Sequence, residues 1–310
     1  MRVDILQLIE ENKEISGEYI GKQFEISRSA VGKYITKLKE KGVAISSSKK
    51  GYTYTKTDCL CEETLTLQLL KNDIILPCVV EECDSTNTLA KSMLQTNKND
   101  FLLVAPRQLN GRGRLERKFV SDVGGVYMSY CYHPTNLTVF DSVKLVLLCG
   151  VAVMQALKKF NVDALLKWPN DVLVGGKKIC GILLESVLNC ERVDSVVFGI
   201  GVNVNNSLTE VEDIATSVCK INNCNVNRAD VAVEIVKNLQ NLLKTYENEG
   251  FESIKQVYLQ NSCTIGKNVK IKNNGQIIEG VAEKLSAEGF LILNTKNGET
   301  KIITGDIINQ

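Results

Sequence analysis

The spacing of apolar residues in the first part of the chain is helical. Apolar positions recur every three or four residues across residues 3–11, which predicts an amphipathic helix. The same spacing follows Ser16 and Ser27, whose hydroxyls are suited to cap a second and a third helix. Tyr19 and Ile20 of the second helix are expected to pack inward. Two short apolar stretches on either side of a Ser/Lys-rich tip then predict a two-stranded wing. Residues 1–57 are therefore predicted to form a winged helix-turn-helix domain.

The pattern becomes mixed after residue 57. Residues 58–72 predict a helical linker whose leucines offer some packing surface. Residues 73–262 contain short apolar strands, such as Phe101–Ala105 and Val126–Tyr132, between longer helical stretches. Residues 172–174 and 179–185, separated by the turn Gly175-Gly176, predict a hairpin. These elements do not alternate regularly as βαβ units. The order therefore predicts a central domain with a mixed sheet and packed helices, in a chain that is multidomain α+β.

Residues 263–310 change character again. Short strands alternate with turn signals at residues 273–275, around Asn274, and at residues 297–298. This pattern predicts a small C-terminal β barrel of the SH3-like type. A domain of this size is too small to enclose an obvious active site of its own.

Positive charge is concentrated in the predicted winged helix. The formal net charge of the 310 residues is only +1, so no overall field attracts nucleic acid. Residues 25–56, however, contain eight basic and two acidic side chains, an excess suited to DNA phosphates. The third helix presents its polar face through Arg28, Ser29, Lys33 and Lys37. These are the predicted DNA-binding residues; a protein-interaction domain of the same shape remains the alternative.

Composition limits the cellular setting. Hydrophobic residues make up 44% and charged residues 24% of the chain, as in globular proteins. The longest apolar stretch, residues 143–157, is interrupted by Lys144 and predicts a buried helix rather than a membrane span. The first residues lack the apolar core of a signal peptide. Eleven cysteines with one histidine and no CxxC pair fit neither a disulfide framework nor a zinc site. We expect a cytoplasmic protein without membrane contact.

Residues 107–119, which we call the cationic loop, carry the first candidate chemistry. Gly111-Arg112-Gly113-Arg114 alternates a permissive backbone with guanidinium groups, and Arg117 follows closely. Glycine lets the backbone approach a ligand, and guanidinium forks match phosphate or carboxylate oxygens. The loop therefore predicts an anion site. On composition alone, a solvated basic loop or a nucleic-acid contact is an equal alternative.

Three further motifs follow the cationic loop in the chain. Residues 167–171 read KWPND, residues 181–185 read GILLE, and residues 199–203 read GIGVN. In this order, across roughly a hundred residues, the four motifs resemble those of the biotin–protein ligase family. The resemblance implies that residues 73–262 form a class II synthetase-like ligase domain. It also implies that the winged helix represses biotin genes by binding their operator DNA.

The resemblance implies a reaction and a set of site residues. Biotin would be activated by ATP, with Mg²⁺, to biotinyl-5′-AMP, and then transferred to a lysine of a biotin carboxyl carrier protein. The implied biotin-binding residues are Ser85, Thr86, Asn87, Gln108, Gly111, Arg112, Gly113, Arg114, Lys167 and Gly181. The implied nucleotide-binding residues are Arg114, Arg117, Asn170 and Asn203, and Asp171 is a candidate for metal or ribose contacts. Lys167, Arg112 and Arg114 are the implied catalytic cations, because they would stabilise the charged transition state.

Alternatives to these assignments remain open. A Ser-Thr-Asn cluster such as Ser85–Asn87 at a helix start is often only a cap. The family usually has glycine where this chain has Glu116, and that carboxylate could pair with Arg114 or Arg117. A biotin-sensing regulator without catalysis and a lipoate or octanoate ligase are the competing functions. The resemblance also implies a homodimer that forms when ligand binds.

Overall fold

The computed structural model describes residues 1–72, 74–75, 77–135, 137–189, 192–273 and 275–309. The chain opens with a winged helix. Its elements are α1 (Arg2–Glu11), α2 (Gly17–Gln23), α3 (Arg28–Glu40), β1 (Ile45–Ser47) and β2 (Tyr52–Tyr54). Ser16 and Ser27 accept hydrogen bonds from the backbone nitrogens of Tyr19 and Ala30, so both predicted caps are confirmed. Tyr19 was expected to pack inward, but it is exposed, because α2 directs Ile20 into the core instead.

The predicted helical linker contains one helix, α4 (Glu62–Leu70). Leu67 packs in the core of the winged helix, whereas Leu65 and Leu69 pack in the core of the central domain. Residues four apart lie on one helix face and a residue midway between them lies on the other. The helix therefore belongs to both cores.

Buried charge reinforces this junction. Glu63 on α4 is 2% exposed and forms ion pairs with Arg2 and Lys41 of the winged helix, each at 2.9 Å. Just before α4, the Asp58 carboxylate accepts hydrogen bonds from Nε of Arg228 and Nδ2 of Asn205 in the central domain. The linker is thus attached on both sides rather than being a loose connection.

The central domain is a seven-stranded mixed sheet. Its strands are β3 (Pro77–Val79), β4 (Phe101–Ala105), β5 (Val126–Tyr132), β6 (Leu165–Lys167), β7 (Asp171–Val174), β8 (Lys177–Asn189) and β9 (Arg192–Val202). They lie in the order β3-β4-β5-β9-β8-β7-β6, with β3 parallel to β4 and the other neighbours antiparallel. The mixed sheet and the β7–β8 hairpin are as predicted. Asp73, the predicted first residue of this domain, lies outside the described residues.

Helices pack against this sheet. They are α5 (Thr86–Met93), α6 (Asp141–Lys158), α7 (Val218–Asn222), α8 (Arg228–Glu249) and α9 (Glu252–Gln260). The apolar residues of α6 are almost all buried between the sheet and the helices α8 and α9. The short helix α7 was not predicted, because five residues are too few to show helical periodicity. Among the helices of the described residues, none is long and apolar enough to span a bilayer.

The C-terminal region is a five-stranded antiparallel sheet. Its strands are β10 (Asn268–Asn273), β11 (Gln276–Leu285), β12 (Leu291–Thr295), β13 (Gly298–Ile302) and β14 (Asp306–Asn309). The order is β13-β12-β11-β10-β14. Within the described part of this region no ladder joins β13 to β14, so a sheet domain is confirmed and a closed SH3-like barrel is not. Asn274, at the centre of one predicted turn, lies outside the described residues.

Candidate functional site

A cavity of about 290 Å³ opens between the cationic loop, the start of α5 and the middle of the sheet. It brings together most of the residues that the sequence implicates. These are Ser85, Thr86, Asn87, Gln108, Arg112, Gly113, Arg114, Arg117, Asn170, Asp171, Gly181 and Asn203. Gly111 and Lys167 are not among the described residues that line the cavity.

A set of neutral hydrogen-bonding groups lines the cavity at the start of α5. Ser85 occupies the N-cap position of α5, but no capping hydrogen bond from its side chain is found within the described residues. The hydroxyl of this nearly buried residue therefore remains available to a ligand. The Gln108 side-chain oxygen accepts from the backbone nitrogen of Thr86 at 2.8 Å and from its hydroxyl at 3.1 Å. Gln108 in turn donates to the hydroxyl of Ser121 at 2.9 Å. These bonds fix the polar groups before any ligand arrives.

Asn87 lines the same cavity, but its amide is bonded to the protein. Its Nδ2 donates to the Leu183 carbonyl at 3.1 Å and to the Glu185 carboxylate at 2.8 Å. Its Oδ1 accepts from the Ser129 hydroxyl at 2.7 Å. A Cβ on Gly199 would lie 2.3 Å from Asn87 Oδ1, so glycine is required there. Asn87 is therefore placed to hold α5 against β5 and β8.

Glu185, the last residue of the GILLE motif, joins this network. Burial raises the pKa of its carboxyl, but hydrogen bonds from Lys91 and Asn87 outweigh burial and leave that pKa below its usual value. The carboxylate is therefore ionised at neutral pH. Its charge adds to the field around Arg112, whose Nη2 donates to Thr88 at 2.9 Å.

An aromatic ring rests on two glycines at the centre of the cavity. Gly181 on β8 and Gly201 on β9 are directly paired across the ladder. A Cβ would lie 3.0 Å from the Phe119 ring at Gly181 and 2.6 Å from it at Gly201. The two glycines thus accept Phe119, and Tyr127 contacts that ring edge to face with centroids 6.4 Å apart.

The cationic loop is folded as a small hairpin. The nitrogen of Gly113 donates to the Arg117 carbonyl at 2.7 Å, and that of Phe119 donates to the Gly111 carbonyl at 2.8 Å. A Cβ at Gly111 would lie 2.3 Å from the Ser121 hydroxyl, so this glycine permits close backbone packing. It supports the loop rather than lining the cavity.

The tip of the hairpin is unusual. Leu115 and Glu116 both adopt the left-handed region, at φ 54° and 55°. Both side chains are exposed, by 73% for Leu115 and 83% for Glu116. The Glu116 carboxylate lies 3.7 Å from Arg112, not beside Arg114 or Arg117 as the sequence had suggested.

Arg114 and Arg117 meet the C-terminal domain at the edge of the cavity. Arg114 donates to Asn170 Oδ1 at 3.2 Å, and Asn170 is itself anchored to the Ile182 carbonyl at 2.8 Å. Burial lowers the pKa of the Arg114 guanidinium, while Asp306 and Asp171 oppose that effect. Asn170 thus orients Arg114.

Lys178 is a cation in the cavity that the sequence reasoning missed. Its Nζ lies 2.6 Å from Asp171 Oδ1 and 5.8 Å from the centroid of Phe119. Lys167 ends β6, the edge strand, and is not among the described residues that line the cavity. The β7–β8 hairpin was predicted, and its turn returns Lys178 towards Asp171. This hairpin geometry was the signal by which Lys178 could have been identified as a cavity residue.

The remaining lining comes from residues 208–215, which no motif or periodicity in the sequence had indicated. The backbone nitrogen of Lys178 donates to the Ile214 carbonyl at 2.9 Å, which ties this segment to β8. Ile214 is 69% exposed at the rim. Asn203, 3% exposed, accepts from Asn206 at 3.0 Å and so supports the floor beneath the segment.

Metal ligands are sparse in the described part of the chain. No group of three or more His, Cys, Asp or Glu side chains there could hold a metal ion. The acidic lining residues are Asp171 and Asp306. Mg²⁺ that keeps its waters and binds nucleotide phosphates needs only one or two protein carboxylates, so Asp171 fits that requirement.

The predicted DNA-binding face is open to solvent. Arg28, Ser29, Lys33 and Lys37 are all exposed along α3. A groove between α3 and the wing is lined by residues including Ser29, Lys33, Lys37, Lys39, Ser47 and Tyr52. Such a face, basic and framed by a wing, suits the phosphate backbone of DNA.

Three family models match the chain. The model described as "HTH domain" matches residues 2–53, and "Biotin/lipoate A/B protein ligase family" matches residues 79–203. "Biotin protein ligase C terminal domain" matches residues 264–308. The three matches lie in the winged helix, the central domain and the C-terminal sheet.

Curated relatives align along nearly the whole chain. The "Bifunctional ligase/repressor BirA" of Bacillus subtilis (strain 168) is 32% identical, over 99% of this chain and 98% of that protein. The protein of the same name from Escherichia coli (strain K12) is 26% identical over 93% and 91%. Among solved structures, the biotin protein ligase from Aquifex aeolicus in complex with biotin and ATP is similar with a TM-score of 0.66. That structure is 31% identical and covers 74% of this chain and 97% of its own.

Proposed function

The chain belongs to the biotin–protein ligase family, in its bifunctional ligase/repressor branch, and from this premise we propose how its residues divide the work. It is an ATP-dependent biotin–protein ligase that is also a DNA-binding repressor. The observation that carries the site assignment is that neutral hydrogen-bonding groups and several cations, among them Lys178, Arg114 and Arg117, line one cavity. Such a cavity can hold a neutral ring and bring two anions together.

The neutral groups bind the head of biotin in this proposal. The ureido ring has both donors and an acceptor, which match the hydroxyls of Ser85 and Thr86. Gln108 holds Thr86 in place, and Phe119 covers the apolar part of the ligand from its seat on the two glycines. Arg112 lies beside this group, while Asn87 supports it from behind.

The cations act on the first chemical step. The biotin carboxylate attacks the α-phosphate of ATP, pyrophosphate leaves, and negative charge grows on the phosphoryl oxygens. Lys178 stabilises that charge, with Asp171 orienting its ammonium group. Arg114 and Arg117 bind the remaining phosphates, and Asp171 is the carboxylate we assign to nucleotide-bound Mg²⁺. A carrier-protein lysine then attacks the mixed anhydride, and AMP leaves.

ATP–pyrophosphate exchange tests this assignment. Biotin, lipoate and octanoate are compared with the native chain, and exchange is expected with biotin only. Lys178→Ala should lower the exchange rate by roughly a hundredfold or more, as loss of one preorganised transition-state donor does. Lys167→Ala is the matched control and should change it less than about threefold.

Two outcomes would contradict the assignment. A large loss with Lys167→Ala and none with Lys178→Ala would return the catalytic role to Lys167. Tight biotin binding without exchange for any acid would favour a biotin sensor that does not catalyse.

Several finer points are part of the same proposal. The acceptor is a biotin carboxyl carrier protein, and the winged helix binds operator DNA of biotin genes through the exposed face of α3. A cytoplasmic location follows from a repressor that must reach DNA. We further propose a ligand-dependent homodimer, an SH3-like C-terminal barrel, and a division of the chain into domains at residues 1–57, 58–72, 73–262 and 263–310.

Light scattering with and without biotin and ATP tests the dimer, and a monomer in both conditions would exclude it.

A further inference from the structure

The C-terminal domain sends one turn into the cavity. Residues 303–305 connect β13 to β14, and Asp306, the first residue of β14, lines the cavity with a side chain that is 14% exposed. Gly305 has a φ of +155°, and a Cβ there would lie 2.5 Å from Ile271 Cγ2. Close packing of Gly305 against the Ile271 side chain therefore fixes where this turn enters the site.

The turn supplies acceptors to both arginines that we assign to phosphates. Arg117 Nη2 donates to Asp306 Oδ2 at 2.6 Å, and Arg114 Nη1 lies 3.8 Å from Asp306 Oδ1. Arg114 also donates to the Thr304 hydroxyl at 2.9 Å and to the Gly305 carbonyl at 3.3 Å. One carboxylate and two neutral oxygens thus engage the guanidiniums before a nucleotide does.

A carboxylate presents two charged oxygens to a guanidinium much as two oxygens of a phosphate do. We propose that Asp306 competes with the phosphates of ATP for Arg114 and Arg117, so that the nucleotide enters only when it displaces this carboxylate. The inference rests on the proposed function, because it takes the two arginines as phosphate ligands. ATP wins the exchange, since it carries several negative charges against one.

The competition acts in both directions. When pyrophosphate has formed, Asp306 can recapture the arginines as the product leaves. When no nucleotide is bound, the Asp306 carboxylate also offsets the repulsion between the two guanidinium groups. Asp306 is therefore a positioning residue that lowers the affinity for ATP and speeds the release of pyrophosphate, without touching biotin.

The test separates the two substrates. In ATP–pyrophosphate exchange, Asp306→Asn should lower the KM for ATP by roughly three- to tenfold, the range expected for loss of one partly buried charged competitor. The KM for biotin should stay within about twofold, a split that general damage to the fold would not produce. Asp306→Glu keeps the charge and should restore a KM for ATP close to the native value. Glu279→Gln, which removes an exposed carboxylate of the same domain, is the matched control.

Each opposite result overturns the inference. A higher KM for ATP in Asp306→Asn would mean that Asp306 holds the arginines or a metal ion productively instead of competing. An unchanged KM for ATP would mean that the contact is irrelevant to the nucleotide.

Direct binding keeps the test independent of the ligase assignment. Calorimetric titration with inorganic pyrophosphate should give tighter binding to Asp306→Asn than to the native chain, even if no acid supports exchange. Failure of exchange with tighter pyrophosphate binding would reject the proposed function alone. Equal or weaker pyrophosphate binding would reject the competition alone.

Discussion

Glu116 adopts a backbone conformation that its side chain disfavours. Its φ of 55° lies in the left-handed region, where residues other than glycine are strained by roughly 1–2 kcal/mol. Glycine would remove that strain. It would also increase the conformational entropy of the unfolded chain, which lowers the free energy of unfolding by roughly 0.4–1 kcal/mol. A glycine at this position, as the family resemblance implied, would adopt this backbone without strain.

Glu116→Gly should therefore raise the free energy of unfolding by roughly 0.5–1 kcal/mol. Biotin affinity should be unchanged, because the contact to Arg112 is long and exposed. Urea denaturation and biotin titration measure the two effects. Glu279→Gly, within strand β11, is the control and should lower stability by about 1 kcal/mol. A destabilised Glu116→Gly would show that the tip of the cationic loop is not strained.

Ser85 and Asn87 are close in sequence but differ in what they bond. The Ser85 hydroxyl faces the cavity without a cap bond in the described residues, whereas Asn87 makes three buried hydrogen bonds. Ser85→Ala should raise the KM for biotin roughly tenfold, the effect of one lost hydrogen bond, with an unchanged melting temperature. Asn87→Ala should instead lower stability by roughly 2–4 kcal/mol, since Ser129 loses its acceptor and the Glu185 carboxylate keeps only the bond from Lys91.

Steady-state kinetics and thermal unfolding of both variants separate the roles. If Ser85→Ala lowers the melting temperature and Asn87→Ala changes only the KM for biotin, the two assignments are reversed. Sequence reasoning had grouped these residues as ligands. It could not separate them, because a Ser-Thr-Asn run looks the same whether its side chains face a cavity or neighbouring strands.

At the scale of elements, the hairpins could be predicted, but the residues that contact them from other parts of the fold could not. The motif around residues 167–185 contains its own turn, so β7 and β8 follow from local sequence. Which lysine faces the cavity depends on where that hairpin lies in the sheet, and this is why Lys178 was missed. Asp306 was further out of reach, because it meets Arg117 across 189 positions of sequence.

Helix α4 brings a buried carboxylate to a junction between domains. Burial raises the pKa of Glu63, but the hydrogen bond and charge of Lys41, with the charge of Arg2, lower it below the ordinary value of 4.5. A group whose pKa is lower in the folded state stabilises the fold above its unfolded pKa. That contribution is lost as the pH falls below about 4.5 and through the lower folded value.

Glu63→Gln should thus flatten the pH dependence of stability in this window. At pH 7 the variant should be less stable by roughly 1–3 kcal/mol, because two cations lose a buried partner. Below the folded pKa of Glu63 the difference should shrink. Melting temperatures from pH 3 to 7 for both proteins measure it, with the exposed Glu18→Gln as control. Parallel curves would exclude Glu63 as the titrating group.

At the scale of the molecule, the three-part order of the chain could be predicted, but the way its parts join could not. Winged helix, mixed-sheet domain and C-terminal strands each have their own periodicity. The leucines of residues 65–69 read only as packing surface for a linker. Their division between two cores depends on which domains flank the helix, and that information is not local.

Deletion of residues 1–57 should therefore damage what remains. The truncated chain would expose Leu67 and leave Glu63 without Arg2 and Lys41, so we expect a lower melting temperature and self-association. Leu67→Gln in the truncated chain should reduce the self-association. Thermal unfolding and light scattering test both effects. A truncated chain as stable and monomeric as the native protein would contradict the shared helix.

The shared helix also decides what can be exchanged between proteins. A chimaera that transplants this winged helix onto another ligase, or replaces it with a different DNA reader, has to carry matching apolar and cationic groups for both faces of α4. A graft joined at residue 57 would pair one protein's helix with another's surface. The transferred piece therefore has to include residues 1–72, and the receiving ligase domain has to offer groups that match Leu65 and Leu69 on the other face of the helix.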